Sequence, residues 1–444
     1  MWERIGIIVV VSLIMFFRTL RLGFVSDDIP AAKHNIKPNN VFQRVWWQLE
    51  GRKHFGKEEA HAYTLVLHTL TCVFIYLGLG KSDISFLAAL LFCVNPRNNQ
   101  ASIWISGRRN YLIPTCLLMA AAAIPLVSPF ALFLTTTMAT AFVAPIGFLG
   151  SPNWWFVLFM PVIWYINIKK FRQQVGGKIS VESAEGDKIL SLNKLVLAIK
   201  TYGFYFFMCL VPDKLSFYHS FLQSGAGSGN EIMCKRAYAL DKTFWFGCFL
   251  LTAFPLYWIF HGWDGICWGI FWFSVCIAPY LNVIRVQQET ADRYVYMAGV
   301  GLMFALACVL VAFPSFALAI LAVYAVRLFY LIPAYKDEYW LREMCVQEDP
   351  MCWFAWHMRA LNRWDVGSRH EAFTCWVMAK LISPKEFKIW ANLAMVLRKI
   401  GNRKESDAAI EEARKCIIKG QEAQSEKLLR GIKACEKGKM PILI

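Results

Sequence analysis

A succession of apolar runs, each near the length of a bilayer crossing, constrains this chain more than any other feature. A helix needs about 20 predominantly apolar residues to span the hydrocarbon core. Such runs occur near 5–22, 61–79, 83–95, 111–127, 129–148, 152–167, 193–211, 243–260, 265–281, 294–311 and 314–333. They predict an all-α polytopic domain of about eleven spans. The run at 83–95 is short and is expected to tilt or to continue past Pro96. Only Ser128 and Pro129 divide the pair between 111 and 148. The composition agrees, with 57% of residues hydrophobic, more than a water-soluble domain ordinarily carries. The first run is too long, and lacks the flanking cleavage site, for a signal peptide, so it is expected to be retained.

The pattern changes near Ala334. Residues 1–333 form the expected membrane domain. Residues 334–444 contain no span-length apolar run and are rich in Glu, Lys, Arg and Ala, so they are expected to form a water-facing helical domain. Its clearest stretch has Trp390, Leu393, Ala394 and Leu397 at helical spacing. A break follows at Gly401 and Asn402, and the pattern restarts at Ser406, Ala409, Ile410 and Ala413. Trp356 and Trp390 are separated by nearly the tetratricopeptide period, which predicts about two imperfect repeats and a terminal helix. Such an array can dock a protein partner or cap the membrane domain.

Charge suggests orientation and partners. The segment 169–199 carries Lys169, Lys170, Arg172, Lys178, Lys188 and Lys194, with Lys200 just beyond, and should be cytoplasmic. Counting spans from it gives a cytoplasmic N-terminus. The connections at 25–60, 96–110, 212–242 and 282–293, and the C-terminal domain, then lie outside the cytoplasm. The net charge of +16 is spread over short loops and the tail. It points to anionic lipid headgroups or a lipid phosphate, not to nucleic acid. The 14 cysteines show no regular spacing. Cys72, Cys93, Cys116, Cys209, Cys276 and Cys308 lie in apolar runs, where cysteine acts as a small hydrophobe.

The outer connections hold the residues with chemistry. The first has Asp27, Asp28 and His34, followed by Trp46 and Trp47 among basic residues, as in an interfacial helix. An acidic pair at a span end is alternatively a helix cap. The second packs Arg97, Arg108 and Arg109 around Trp104 and three asparagines, a pattern suited to phosphate oxygens or to a solvated boundary. The third contributes Tyr218 and His219 beside a glycine-rich SGAGSGN that is no phosphate-binding loop. The fourth holds Arg285, Glu289, Asp292, Arg293 and Tyr294 at a span entrance, where charges bind a ligand or lock helices together.

The segments FVSDD (24–28), NPRNNQASIWISGRRNYL (95–112), LVPDKLSFYHS (210–220) and RVQQETADRYVYMAGVG (285–301), with the repeat at 387–415, resemble the transmembrane and tetratricopeptide-repeat O-mannosyltransferases and their prokaryotic relatives. The resemblance implies a GT-C-type glycosyltransferase in a prokaryotic plasma membrane. It implies an inverting transfer of sugar from a polyprenyl-phosphate donor to a hydroxyl of a secreted or surface protein, such as a pilin-like subunit. It places Asp27 and Asp28 in the catalytic acidic motif. Arg108, Arg109, Arg293 and Arg285 then hold the donor phosphate, with Asp292, Glu289, His34, Tyr218, His219 and Tyr294 in support. The chain departs from the family in its short repeat array and in Arg109-Asn110, where an acidic residue is usual. A direct carboxylate mechanism needs no metal, although two carboxylates and a phosphate could hold a divalent cation. A non-catalytic assembly scaffold and a transporter of lipid-linked substrate are the rival classes. A transporter would be expected to show polar or Gly/Pro-broken helices near the midplane, whereas the charges here sit mostly at span ends.

Overall fold

A computed structural model describes residues 1–33, 56–128, 192–221, 238–283, 290–416 and 430. All regular structure among these residues is helical. In chain order the principal helices are α1 (Trp2–Phe16), α2 (Lys57–Gly78), α3 (Asp83–Val94), α4 (Ile113–Ala123) and α5 (Leu192–Leu210). They continue with α6 (Lys242–His261), α7 (Gly265–Ile277), α8 (Val295–Leu310) and α9 (Pro314–Leu331). The C-terminal helices are α10 (Glu338–Glu348), α11 (Trp353–Asp365), α12 (Arg369–Ile382), α13 (Phe387–Lys399) and α14 (Arg403–Lys415).

The expected GT-C-like domain of about eleven spans is overturned. Among the described residues, four helical segments are long and apolar enough to cross a membrane: Lys57–Gly78, Lys242–His261, Asp292–Leu310 and Pro314–Lys336. In two of the other apolar runs the α-helix stops short. The first run leaves α-helical geometry after Phe16 and tightens into a 3₁₀ turn at Phe17–Arg21. The α-helix in the run at 111–127 stops at Ala123, and a 3₁₀ turn at Pro125–Val127 follows. Asp83–Val94 and Gly265–Tyr280 are apolar but shorter than a span. Leu192–Leu210 is long enough, but Asn193, Lys194 and Lys200 make it too polar. The runs at 129–148 and 152–167 lie outside the described residues.

The helices pack around one apolar core drawn from α1 to α5 and α7 to α9, with Tyr76, Phe92, Tyr205, Trp272 and Tyr296 among its fully buried side chains. Two glycine pairs let helices touch backbone to backbone. A Cβ on Gly203 would meet the backbone of Gly247 and Thr243 across α5 and α6. A Cβ on Gly301 would meet the Gly269 carbonyl and Trp272 across α7 and α8. Lys200 on α5 binds the carboxylate of Asp241, the N-cap of α6, at 2.8 Å. Almost none of α6 is buried. It presents Trp245, Phe249, Ile259 and Phe260 outward, a surface at home in lipid and not in water.

The C-terminal helices make two hairpins with the same construction 34 positions apart. Gly367 and Gly401 both adopt left-handed backbone at the turn, with φ of 88° and 90°. Each turn closes with a six-to-one bond, Ser368 N–H to the Arg363 carbonyl and Asn402 N–H to the Leu397 carbonyl. The Trp356 and Trp390 indoles donate to the carbonyls of Pro350 and Pro384. Small residues meet between helices, including Ala360 and Ala372 in one hairpin and Ala394 and Ala409 in the other. The boundary near Ala334 is not a gap in packing. Leu328, Tyr335, Leu341 and Cys345 share one apolar cluster with Phe16, Val25, Ile103 and Leu215.

The glycine crossing of α7 and α8 gives a direct test. Gly301→Val should destabilise the fold by about 1–3 kcal/mol through overpacking, read as lowered thermal stability in detergent. Gly299→Ala should be nearly neutral, because its Cβ would lie 3.5 Å from the Cys209 sulfur, an ordinary contact.

Candidate functional site

Helices α1, α3, α5, α7 and α9 end, and α2, α4 and α8 begin, at the same end of the bundle. The connecting segments there hold one another by polar contacts. The segment 95–112 lies at the centre. Its Asn95 reaches the Cys209 carbonyl at 3.0 Å, and its Arg97 reaches the Met208 and Lys214 carbonyls at 2.9 and 3.0 Å.

Two buried carboxylates organise this region. Asp292 opens a 3₁₀ turn before α8 and is fully buried. It accepts from Arg97 Nη1 at 3.0 Å, Asn99 Nδ2 at 2.8 Å and His219 Nε2 at 2.7 Å. One carboxylate thereby joins three connecting segments, as a buried charge requires. Beside it, Arg293 donates to Gln100 Oε1 at 3.0 Å and lies over the rings of Trp104 and Tyr294. Tyr294 stacks on Tyr280 at 4.2 Å between ring centres. The Tyr335 hydroxyl adds a bond to Asn99 at 2.5 Å.

The second carboxylate is Asp28, also fully buried. It begins the short helix Asp28–Lys33, after Ser26 has taken a left-handed φ of 53°. That conformation is costly for a residue with a side chain and persists only where its surroundings enforce it. Ser106 donates to Asp28 Oδ1 twice, from its N–H at 2.8 Å and its hydroxyl at 2.5 Å. The Val25 N–H approaches Oδ2 at 3.4 Å. Burial pushes the Asp28 carboxyl up to about 7, against the hydrogen bonds from Ser106 and Val25 and the nearby Arg108 charge. Arg108 is itself fully buried and donates to the Ala60 carbonyl at 2.9 Å. Burial pulls its pKa down to about 10, and Asp28 opposes that shift. Arg108–Leu112 form a π-helical turn, a geometry frequent at functional positions.

The predicted site residues therefore separate. Asp28, Arg108, Asp292, Arg293, Tyr294, His219 and Tyr218 lie in the converging segments. Tyr218 accepts from Arg342 on α10 at 2.7 Å, and burial pushes its pKa up to about 12. Asp27 and Arg109 are exposed, unlike the buried Asp28 and Arg108 beside them. His34, Arg285 and Glu289 lie outside the described residues. The converging segments also hold Arg97, Asn99, Gln100, Ser106, Tyr335 and Arg342, of which only Arg97 and Asn99 belonged to the arginine and asparagine pattern read in the sequence. Four of these belong to the 95–112 segment already marked by its polar density, whereas Tyr335 and Arg342 carried no local signal.

A further group lies in the apolar core. His68, Cys72 and Cys93 are buried with their donor atoms within 4.8 Å of one another, so they could hold a metal ion. Cysteine spacing does not reveal this group, because its third member comes from another helix. No protein-family model, curated protein or solved structure matches the chain.

Two expectations follow. An Asp28 carboxyl raised from 3.8 to about 7 holds its proton more tightly in the folded protein, so stability should fall as pH rises between those values and level off above them. Asp28→Asn should flatten this slope in thermal unfolding across pH. Asp292→Asn should cost about 3–5 kcal/mol by leaving Arg97 without its carboxylate. Arg109→Ala on the surface should stay within about 0.5 kcal/mol in the same assay.

Proposed function

We propose that the chain is a membrane transferase that moves a sugar from a polyprenyl-phosphate carrier to a hydroxyl of an extracytoplasmic protein. The supporting observation is the burial of Asp28 among converging polar segments, with its carboxyl poised at about 7. A general base works best when its pKa lies near the operating pH. In this reading Asp28 takes the acceptor hydroxyl proton, the acceptor oxygen forms a bond to the sugar C1, and the carrier phosphate leaves with the electrons of the broken bond. Arg109, exposed one residue beyond Arg108, and Arg293 are the proposed phosphate partners, stabilising charge as the bond breaks. The exposed apolar helices supply a lipid-facing surface for the carrier tail. A secreted or surface protein docks on the C-terminal hairpins, and the converging segments face away from the cytoplasm of a prokaryotic plasma membrane.

A second reading is a non-catalytic scaffold that holds a secreted partner. The dense bonding of Asp292 to Arg97, Asn99 and His219 favours it, because these groups are committed to the fold. A transporter of lipid-linked substrate gains less support: most buried charges gather where the connecting segments converge, and the exception within α5, Lys200, is paired with Asp241.

Intact-mass profiles of envelope glycoproteins from wild-type, deletion and complemented strains separate the readings. The transferase predicts a sugar-sized mass lost on deletion and restored by the wild-type chain and by Asp27→Asn. Asp28→Asn, expressed at equal level, should restore about 10²- to 10⁴-fold less transfer. Full restoration by Asp28→Asn removes Asp28 as the base. Unchanged glycoforms after deletion favour the scaffold.

A further inference from the structure

The His68, Cys72 and Cys93 group plays no part in the proposed transfer. It lies about two helical turns along α2 from Ala60, the residue that anchors Arg108. His68 and Cys72 are four positions apart and share a face of α2. That face packs on α3, which supplies Cys93. His68 Nε2 lies 3.9 Å from the Cys72 sulfur. On the opposite side of the ring, Nδ1 lies 2.8 Å from the Tyr296 hydroxyl of α8. Nε2 also lies 3.2 Å from the Cys93 carbonyl. The Cys93 carbonyl can only accept, so without a metal it pairs with Nε2–H while the Tyr296 hydroxyl donates to Nδ1; metal binding takes the other tautomer and gives up the Cys93 contact. When Nδ1–H donates to Tyr296, the Nε2 lone pair faces the sulfurs, the arrangement that a metal-bound imidazole adopts with an outer hydrogen-bond partner. Phe16 lies edge-on to the ring at 4.8 Å and Phe92 lies at 6.0 Å, which restricts its rotation.

We propose that His68, Cys72 and Cys93 bind one thiophilic metal ion, Zn(II) or Cu(I), within the helical core. Two thiolates and an imidazole suit these ions, whereas magnesium and calcium require oxygen ligands. Binding forms two metal–sulfur bonds and one metal–nitrogen bond and releases the two thiol protons to solvent. With Zn(II), two thiolates and a neutral imidazole leave no net charge, which apolar burial favours. With Cu(I), the ligand set carries one negative charge, but three ligands meet the coordination without a fourth donor. Either ion ties α2 to α3, with Tyr296 on α8 as the outer partner. Affinity should fall as pH is lowered, because protons compete for the sulfurs.

The test uses the full chain, purified reduced in detergent. Metal content is measured by elemental mass spectrometry, followed by separate Zn(II) and Cu(I) titrations against a chromophoric competitor. One equivalent of one of these ions is expected. Cys72→Ser and Cys93→Ser should each weaken it by at least about 100-fold. Tyr296→Phe, which removes only a hydroxyl, should weaken it roughly 10- to 100-fold. Cys248→Ser should leave it unchanged. The wild-type titration stands even if a ligand variant fails to fold. The proposal is overturned if neither ion binds in stoichiometric amount, or if binding survives both cysteine substitutions. It is also overturned if protein purified without reductant carries a Cys72–Cys93 disulfide that reductant does not open to metal. None of these outcomes depends on glycosyl transfer.

Discussion

The carboxylate of Asp292 is the interaction on which the end of the bundle depends. Removing a charge from water costs several kcal/mol unless close partners replace the lost hydration. Here those partners are Arg97, Asn99 and His219, contributed by two different connecting segments. Satisfying one buried ion therefore fixes how segments more than 70 positions apart in sequence meet. The Arg97 contacts to the Met208 and Lys214 carbonyls extend that order to the end of α5. Gln100 carries it to Arg293 and to the Ser216 and Phe217 carbonyls. Asp28 sits at the margin of this scaffold and owes its position to Ser106, a residue of the same segment.

The gathering of polar residues into four connecting segments was legible in the sequence, because charge beside an apolar run must find water, a ligand or a partner. The span count was not. Apolar composition reports what a segment can lie in, but not where its helix stops. Phe16 and Ala123 end α-helices inside apolar runs, so length read from hydropathy overstated helix length there. Leu192–Leu210 erred for a different reason. Its Lys200 looked like part of a cytoplasmic connection, yet it is buried against Asp241. A local charge count cannot see a partner 41 positions away.

The acidic pair shows the same limit at the scale of two residues. Asp27 and Asp28 were equivalent as letters, but only one can face the core at a turn entering a helix. The left-handed Ser26 makes that choice, and nothing in its residue type announces it. The hairpin repeat was easier to read because its signals are local and recur. Glycine at each turn, small residues between helices and tryptophan at each start are all visible without knowing the distant fold. The His68 group was invisible for the converse reason, since helical spacing pairs two of its members and only packing supplies the third.

The junction with α10 has a mechanical consequence. The Gly23 N–H donates to the Lys336 carbonyl, and the Ser26 N–H donates to Glu338. Farther along α10, Glu348 accepts from the Leu215 N–H and Arg327. The backbone on the N-terminal side of Asp28 is thus tethered to the root of the repeat hairpins. A partner that pulled α10 from its seat would strip the restraint from the strained turn at Ser26 and open the burial around Asp28 to water. Force applied to the hairpins would then arrive at that carboxyl as a change in its acidity.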